Sequence, residues 1–122
     1  MLDVSKYFRN TQNVVELDAG ERLFSQGDPG DTMYAILDGE LAIEVDGTTV
    51  DRISTGRLLG ETAIIESAPR GATVVAVSTC RLAVVDRAHF LFMVHEAPTF
   101  ALDVMREMAE RLRHARGGAV SG

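Results

Sequence analysis

The sequence predicts a mainly β fold with C-terminal helices: about eight short strands in a sandwich or jelly-roll barrel, then two helices. Three observations carry this. From residue 13 to residue 86, short apolar runs alternate with turns rich in Gly, Asp and Pro. Leu41, Ile43 and Val45 alternate with Ala42 and Glu44 and end at Asp46-Gly47, a hairpin signal because a type I′ turn needs positive φ at both central residues. After Asp86 the apolar spacing changes to that of a helix.

The elements follow in order. A short helix near Leu2–Phe8 opens the chain. Val14, Val15 and Leu17 form the first strand and stop at Asp18-Ala19-Gly20. Leu23-Phe24 leads into Gln26-Gly27-Asp28-Pro29-Gly30-Asp31, which is too rich in Gly, Pro and Asp for regular structure and reads as a turn. Met33–Leu37 is the next run, closed by Asp38-Gly39; then come Leu41–Val45, and Val50 to Ile53 ending at Thr55-Gly56. The pattern breaks at 60–70 and resumes with Ala72–Val77 and Leu82–Val85. Asp86 is a good N-cap for a helix through Phe90, Leu91, Met93 and Val94. Pro98 interrupts it and Thr99 is placed to cap a second helix, which should end at Gly117-Gly118. In that helix Ala101, Val104, Met105, Met108 and Leu112 make one apolar stripe. Asp103, Arg106, Glu107, Glu110, Arg111 and Arg113 make a solvated face, with Arg106 and Glu110 an i,i+4 pair.

Composition narrows the function. The 122 residues bound one domain with one core. Twelve basic against 18 acidic residues leave a charge of −6, which argues against a nucleic-acid surface, since such a surface needs clustered cations. No apolar run approaches the ~20 residues that span a bilayer, and the first residues carry no apolar signal region. Cys80 is the only cysteine, so it reads as a small packed hydrophobe in a reducing, cytoplasmic setting.

The break in the strand pattern carries the chemistry. Gly60-Glu61-Thr62-Ala63 places a glycine before one helical turn whose first side chain is a carboxylate, and Pro69-Arg70-Gly71-Ala72 sets an arginine before small residues. Backbone amides and a forked guanidinium suit a phosphate, and a carboxylate suits sugar hydroxyls. Singly, Glu61 would read as an acid at a helix start and Arg70 as a surface ion-pair partner; the conjunction points to an anion-plus-sugar pocket.

This stretch, residues 60–73, resembles the phosphate-binding cassette of the cyclic nucleotide-binding domain family, the module of protein kinase A regulatory subunits and the catabolite activator protein. Gly20-Glu21-Arg22-Leu23-Phe24-Ser25-Gln26-Gly27-Asp28-Pro29-Gly30-Asp31-Thr32-Met33-Tyr34 resembles the family's early strand and glycine-rich turn. Ile36-Leu37-Asp38-Gly39-Glu40-Leu41 resembles its next hairpin, and Val84-Val85-Asp86-Arg87-Ala88-His89-Phe90 its entry into the hinge helix. The resemblance covers about residues 13–116. It implies an eight-stranded jelly-roll barrel over 13–86 after a short segment 1–12, followed by hinge and lid helices over 86–116. It also implies a non-enzymatic sensor, with no cofactor, whose ligand is cAMP or cGMP. The ligand-binding residues it implies are Gly60, Glu61, Thr62, Ala63, Arg70, Gly71 and Ala72. Glu61 would accept from the ribose 2′-hydroxyl with the Gly60 backbone beside it. Arg70 would take the phosphate with amides near Ala63 and Gly71 or Ala72, and Thr73–Val75 would flank the base. Members that prefer cGMP often carry Thr just after the arginine; Gly71 stands here, which favours cAMP. Arg106, Met108, Arg111 and Leu112 are the lid candidates. The alternative reading is an interaction domain that keeps the fold without the ligand.

Two departures stand out. Only about a dozen residues precede the first strand, where the family has a helical region, and no output domain fits after the lid helix. A stand-alone sensor or a module of something longer is therefore expected, with a protein partner of unknown kind or a homodimer through the lid helix. His89, His95 and His114 all fall in the helical tail, and no histidine precedes residue 89, which disfavours a metal cupin. No G-x-S-x-G surrounds a serine.

Overall fold

The computed structural model describes residues 3–120, with side chains described through His114. Eight strands form: β1 (Val14–Leu17), β2 (Arg22–Phe24), β3 (Thr32–Asp38), β4 (Glu40–Val45), β5 (Thr48–Ser54), β6 (Leu58–Leu59), β7 (Thr73–Ala76) and β8 (Cys80–Asp86). Three helices accompany them: α1 (Glu61–Ile65), α2 (Arg87–Glu96) and α3 (Pro98–Val120). The strands lie in two four-stranded antiparallel sheets, β1-β8-β3-β6 and β2-β7-β4-β5. Of the sandwich or jelly-roll barrel that the sequence suggested, the eight strands are present as two four-stranded sheets, and the barrel is not closed.

The sequence explains which strands are buried twice. Met33, Ala35, Ala83 and Val85 pack with Val4, Phe8, Ile64, Phe100 and Val104, on the side covered by helices. Ile36, Cys80 and Leu82 face the other way, against Leu17, Leu41, Ile53, Val74 and Ala76 between the sheets. β3 and β8 therefore read as near-continuous apolar runs, whereas β4 and β5, which close the outer sheet, show polar alternation. Cys80 is packed as expected, 1% exposed. Val45 pairs with Thr48 across Asp46-Gly47, whose φ of 52° and 82° are those the two-residue turn requires.

Several boundaries differ from the expectation. β6 was not foreseen: two leucines are too few to show a period. The opening helix is a 3-10 turn over Ser5–Phe8, and Leu2 lies outside the described residues. Asp86 does cap α2, accepting from the His89 amide at 2.8 Å. α3, however, begins at Pro98 itself, the first helical position, where its missing N–H costs nothing, so Thr99 is not the cap. The helix also continues through Gly117-Gly118 to Val120.

The larger correction concerns which face of α3 is buried. Phe100 is fully buried and sets the inner face, which then carries Asp103, Val104, Glu107, Met108 and Arg111. Met105 and Leu112, expected in the stripe, are each 57% exposed, and Glu107, expected in solvent, is 0% exposed. Polar partners make this register tolerable. Glu107 accepts from Arg57 Nε at 2.6 Å, from the Leu58 amide at 3.3 Å and from Arg111 Nη2 at 2.9 Å. Asp103 accepts from the Tyr7 hydroxyl at 2.6 Å and from Arg106 at 3.2 Å, so Arg106 pairs at i,i+3 with Asp103 rather than with Glu110.

The Tyr7–Asp103 bond joins the N-terminal turn to α3. That hydroxyl, outweighing burial and helped by Lys6 and Arg106, holds the Asp103 carboxyl below its ordinary value. Stability gained from a depressed carboxyl is present above about pH 4 and is lost as pH falls through the folded-state value. Tyr7→Phe is expected to cost about 1 kcal/mol at pH 7, and less at pH 3. Denaturant melts at the two values check it.

Candidate functional site

Arg70 is placed from both ends of its own residue. Its amide donates to Asp28 O at 2.8 Å and its carbonyl accepts from the Gly27 amide at 2.7 Å, so the Gly27–Gly30 turn grips the arginine backbone. The side chain then runs inward and is 7% exposed. Nη1 donates to Thr32 O at 2.8 Å and Nη2 to Thr32 Oγ1 at 3.2 Å. The guanidinium carbon lies 4.2 Å from the Phe24 ring centre and 5.8 Å from that of Tyr34, so an aromatic pair also holds the plane. No carboxylate lies within ion-pair distance of Arg70 among the described residues, and its Nε is buried without a partner.

Two glycines make room for it. A Cβ at Gly30 would stand 2.3 Å from Arg70 Nε, and one at Gly60 would stand 2.8 Å from Nη1 and 3.2 Å from Thr32 O. Gly60 also has φ 79° and opens α1, as the sequence suggested. Gly30→Ala should therefore leave the fold intact, because the clash is with a movable side-chain end, yet displace the guanidinium. Ligand affinity is expected to fall more than about tenfold, since a donor moved by about 1 Å loses its alignment. Calorimetry beside a thermal melt separates the two effects.

Glu61 is the first residue of α1 and is 7% exposed. Its Oε1 accepts from Arg111 Nη1 at 2.9 Å, while Oε2 is buried without a partner. Arg111 reaches it from α3 and also donates to Leu58 O and Glu107. Glu107 in turn governs Arg57: burial works against that charge, but the Glu107 bond and charge outweigh it and raise the Arg57 pKa above the ordinary value.

Glu61 and Arg70 border one cavity of about 440 Å³, a size suited to a small ligand. Gly60, Thr62, Gly71 and Ala72 line it too, so six of the seven residues singled out from sequence meet there. Ala63 does not line it; its amide is turned to Gly60 O at 3.2 Å within the helical turn. Of Thr73–Val75, only Val74 reaches the cavity, and the Thr73 hydroxyl is engaged by the Gln26 amide at 2.9 Å. Of the lid candidates, Arg111 lines it, Met108 and Leu112 lie in an adjoining groove, and Arg106 points to Asp103.

Sequence reading missed the remaining wall. Ile43, Val50 and Ile53 come from β4 and β5, Phe24 from β2 and His114 from α3. Phe24 and Ile43 stand in stretches noted above as strands, but nothing local in the sequence turns them toward Arg70 and Glu61. The glycine-rich turn was read correctly as a turn, but its part in seating Arg70 was not visible, because the partner lies some forty residues away.

Comparison with known proteins agrees with this geometry. Residues 14–97 match the family model described as cyclic nucleotide-binding domain. The chain is 41% identical over 73 residues to the cAMP-dependent protein kinase regulatory subunit of Yarrowia lipolytica, covering 60% of this chain and 20% of that protein. It is 35% identical over 72 residues to the cGMP-dependent protein kinase egl-4 of Caenorhabditis briggsae, covering 59% and 10%. The chain thus spans a fifth or less of these curated relatives. Among solved structures, the Thermus thermophilus catabolite activator protein superposes with a TM-score of 0.75 at 27% identity, over 84% of this chain and 51% of that one. A jelly roll interrupted by a one-turn helix, with a buried glutamate and arginine facing one cavity, sits within that match: the chain belongs to the cyclic nucleotide-binding domain family.

Proposed function

We propose that this domain is a cyclic nucleotide sensor that favours cAMP, taking the ligand phosphate at Arg70 and a ribose hydroxyl at Glu61. The observation that carries the reading is Arg70 itself. A guanidinium this buried, with no carboxylate beside it and one N–H unmet, is a costly arrangement that an anion would relieve. Glu61 Oε2, equally sealed and unpartnered, supplies an acceptor on the same cavity for a neutral donor such as a hydroxyl. Val74, Ile53 and Leu59 offer an apolar wall suited to a base. Gly71 supports adenine over guanine, because no hydroxyl stands there to meet an exocyclic amino group.

Acidic residues outnumber basic ones in the first seventy positions, so the overall field does not draw an anion in. Local donors do the capturing. Contacts made only with α3 closed over the ligand would shift its population, and the exposed Leu91, Phe92, Leu102 and Met105 on α2 and α3 supply a surface through which that movement could be passed to a partner protein.

Calorimetric titration with cAMP and cGMP tests the reading, with a thermal-shift measurement beside it. At ~100 times its dissociation constant the ligand should stabilise the protein by ~2.7 kcal/mol, which means several degrees in melting temperature. Heat and shift from cAMP at lower concentration than from cGMP is the expected result. Neither signal with either nucleotide would leave an interaction domain that keeps the fold alone.

A further inference from the structure

We infer that Arg111 is a gate at the sugar end of the cavity: an internal occupant of Glu61 that the ligand must displace, and the point at which α3 senses occupancy. The inference rests on the reading that Glu61 takes a ligand hydroxyl. Arg111 Nη1 holds Glu61 Oε1 at 2.9 Å, and the remaining oxygen, Oε2, has no contact with solvent and no partner. Arg111 therefore occupies one carboxylate oxygen and holds the other against protein, so a ligand hydroxyl competes with Arg111 for Glu61.

The position of the pair strengthens the argument. Glu61 and Arg111 border the main cavity and also an apolar groove formed with Met108, Ala109 and Leu112. The ion pair is the partition between the two spaces. Moving Arg111 aside frees the Glu61 carboxylate and joins the cavity to the apolar side of α3. Releasing Glu61 leaves Arg111 anchored: its other terminal nitrogen donates to Leu58 O and to Glu107, which has Arg57 as a second cation. A ligand hydroxyl at Glu61 thus replaces one of several Arg111 contacts, and the helix that carries Arg111 feels the exchange directly.

The test uses the full chain and three variants. Arg111→Met removes the gate. Arg111→Lys keeps a cation for Glu107 but lacks the fork that serves two carboxylates at once. Arg113→Met, on the same helix and outside the pair, is the control. Both Arg111 variants are expected to bind cAMP about two- to fivefold more tightly than wild type, the range of a partly exposed ion pair, while the control is unchanged. Without any nucleotide, amide hydrogen exchange should rise at residues 104–112 of both variants and stay constant in β3 and β8. Unchanged or weaker cAMP binding in both variants, with exchange in α3 unaltered, overturns the gate while leaving the nucleotide reading in place. Faster exchange in α3 in a protein that binds neither cAMP nor cGMP keeps the Arg111 clasp on α3 but overturns its role in ligand entry, together with the nucleotide reading.

Discussion

Arg70→Ala is expected to weaken cAMP binding by roughly 2–5 kcal/mol, the range for removing one partner of a desolvated charge pair, while leaving the melting temperature of the ligand-free protein at or above its original value. The two halves of this result have one cause. The guanidinium is 7% exposed, has no carboxylate partner among the described residues and leaves Nε unbonded. An unmet buried donor costs about 1–3 kcal/mol, so its removal offsets the loss of the bonds to Thr32 and of packing on Phe24. In the proposed complex the same group would be the cation that faces the phosphate. Arg70→Lys should not restore binding, because one ammonium cannot both hold Thr32 O and present a fork, nor stack on the Phe24 ring as a plane does. Calorimetry and a ligand-free melt on each variant check it, and an alanine variant that bound cAMP as wild type does would place the phosphate elsewhere.

This separation of stability from binding also shows why the site was only partly legible in the sequence. Gly60, Glu61 and Arg70 stand within eleven positions of one another, so their chemistry could be read locally. The alternation in β4 and the Asp46-Gly47 turn were equally local. Thr32, Phe24 and Tyr34, which hold the Arg70 side chain, come from strands that reach it only through the jelly-roll connections, and a strand shows no sign of what crosses its face. Gly30 is the clearest case. In sequence it is one of several turn residues, but its lack of a side chain matters because of an arginine forty positions later.

The register of α3 was misjudged for a related reason. Apolar spacing placed Met105 and Leu112 inward, and both are exposed. Periodicity counts oily side chains and has no means of weighing a carboxylate whose partners lie on another element. Arg57 sits at the end of a β-turn, fifty residues before Glu107, and its bond at 2.6 Å is what lets the acid go inside. Phe100, Asp103, Glu107 and Arg111 share a helical face as regularly as the apolar stripe does, and the partners of the charges decide between the two.

Glu107 is therefore expected to be the most costly polar side chain in the domain to replace. It is 0% exposed and accepts from Arg57, Arg111 and the Leu58 amide. Glu107→Ala removes the shared acceptor and leaves two arginines and a backbone N–H facing an apolar gap. Breaking a buried pair in this way costs about 3–5 kcal/mol, a large share of the 5–15 kcal/mol that holds a typical domain together. Glu107→Gln should recover part of the loss, since an amide oxygen still accepts from the Leu58 N–H. It cannot recover the charge that both arginines require. Chemical denaturation should rank the three proteins wild type, Gln, then Ala. The loss should also be smaller in Arg57→Met/Glu107→Met than the two single changes added together, because the charges are then absent rather than stranded. Full additivity in that cycle would mean that the buried carboxylate stands without Arg57, and that α3 is held in its register by Phe100 and Val104 alone.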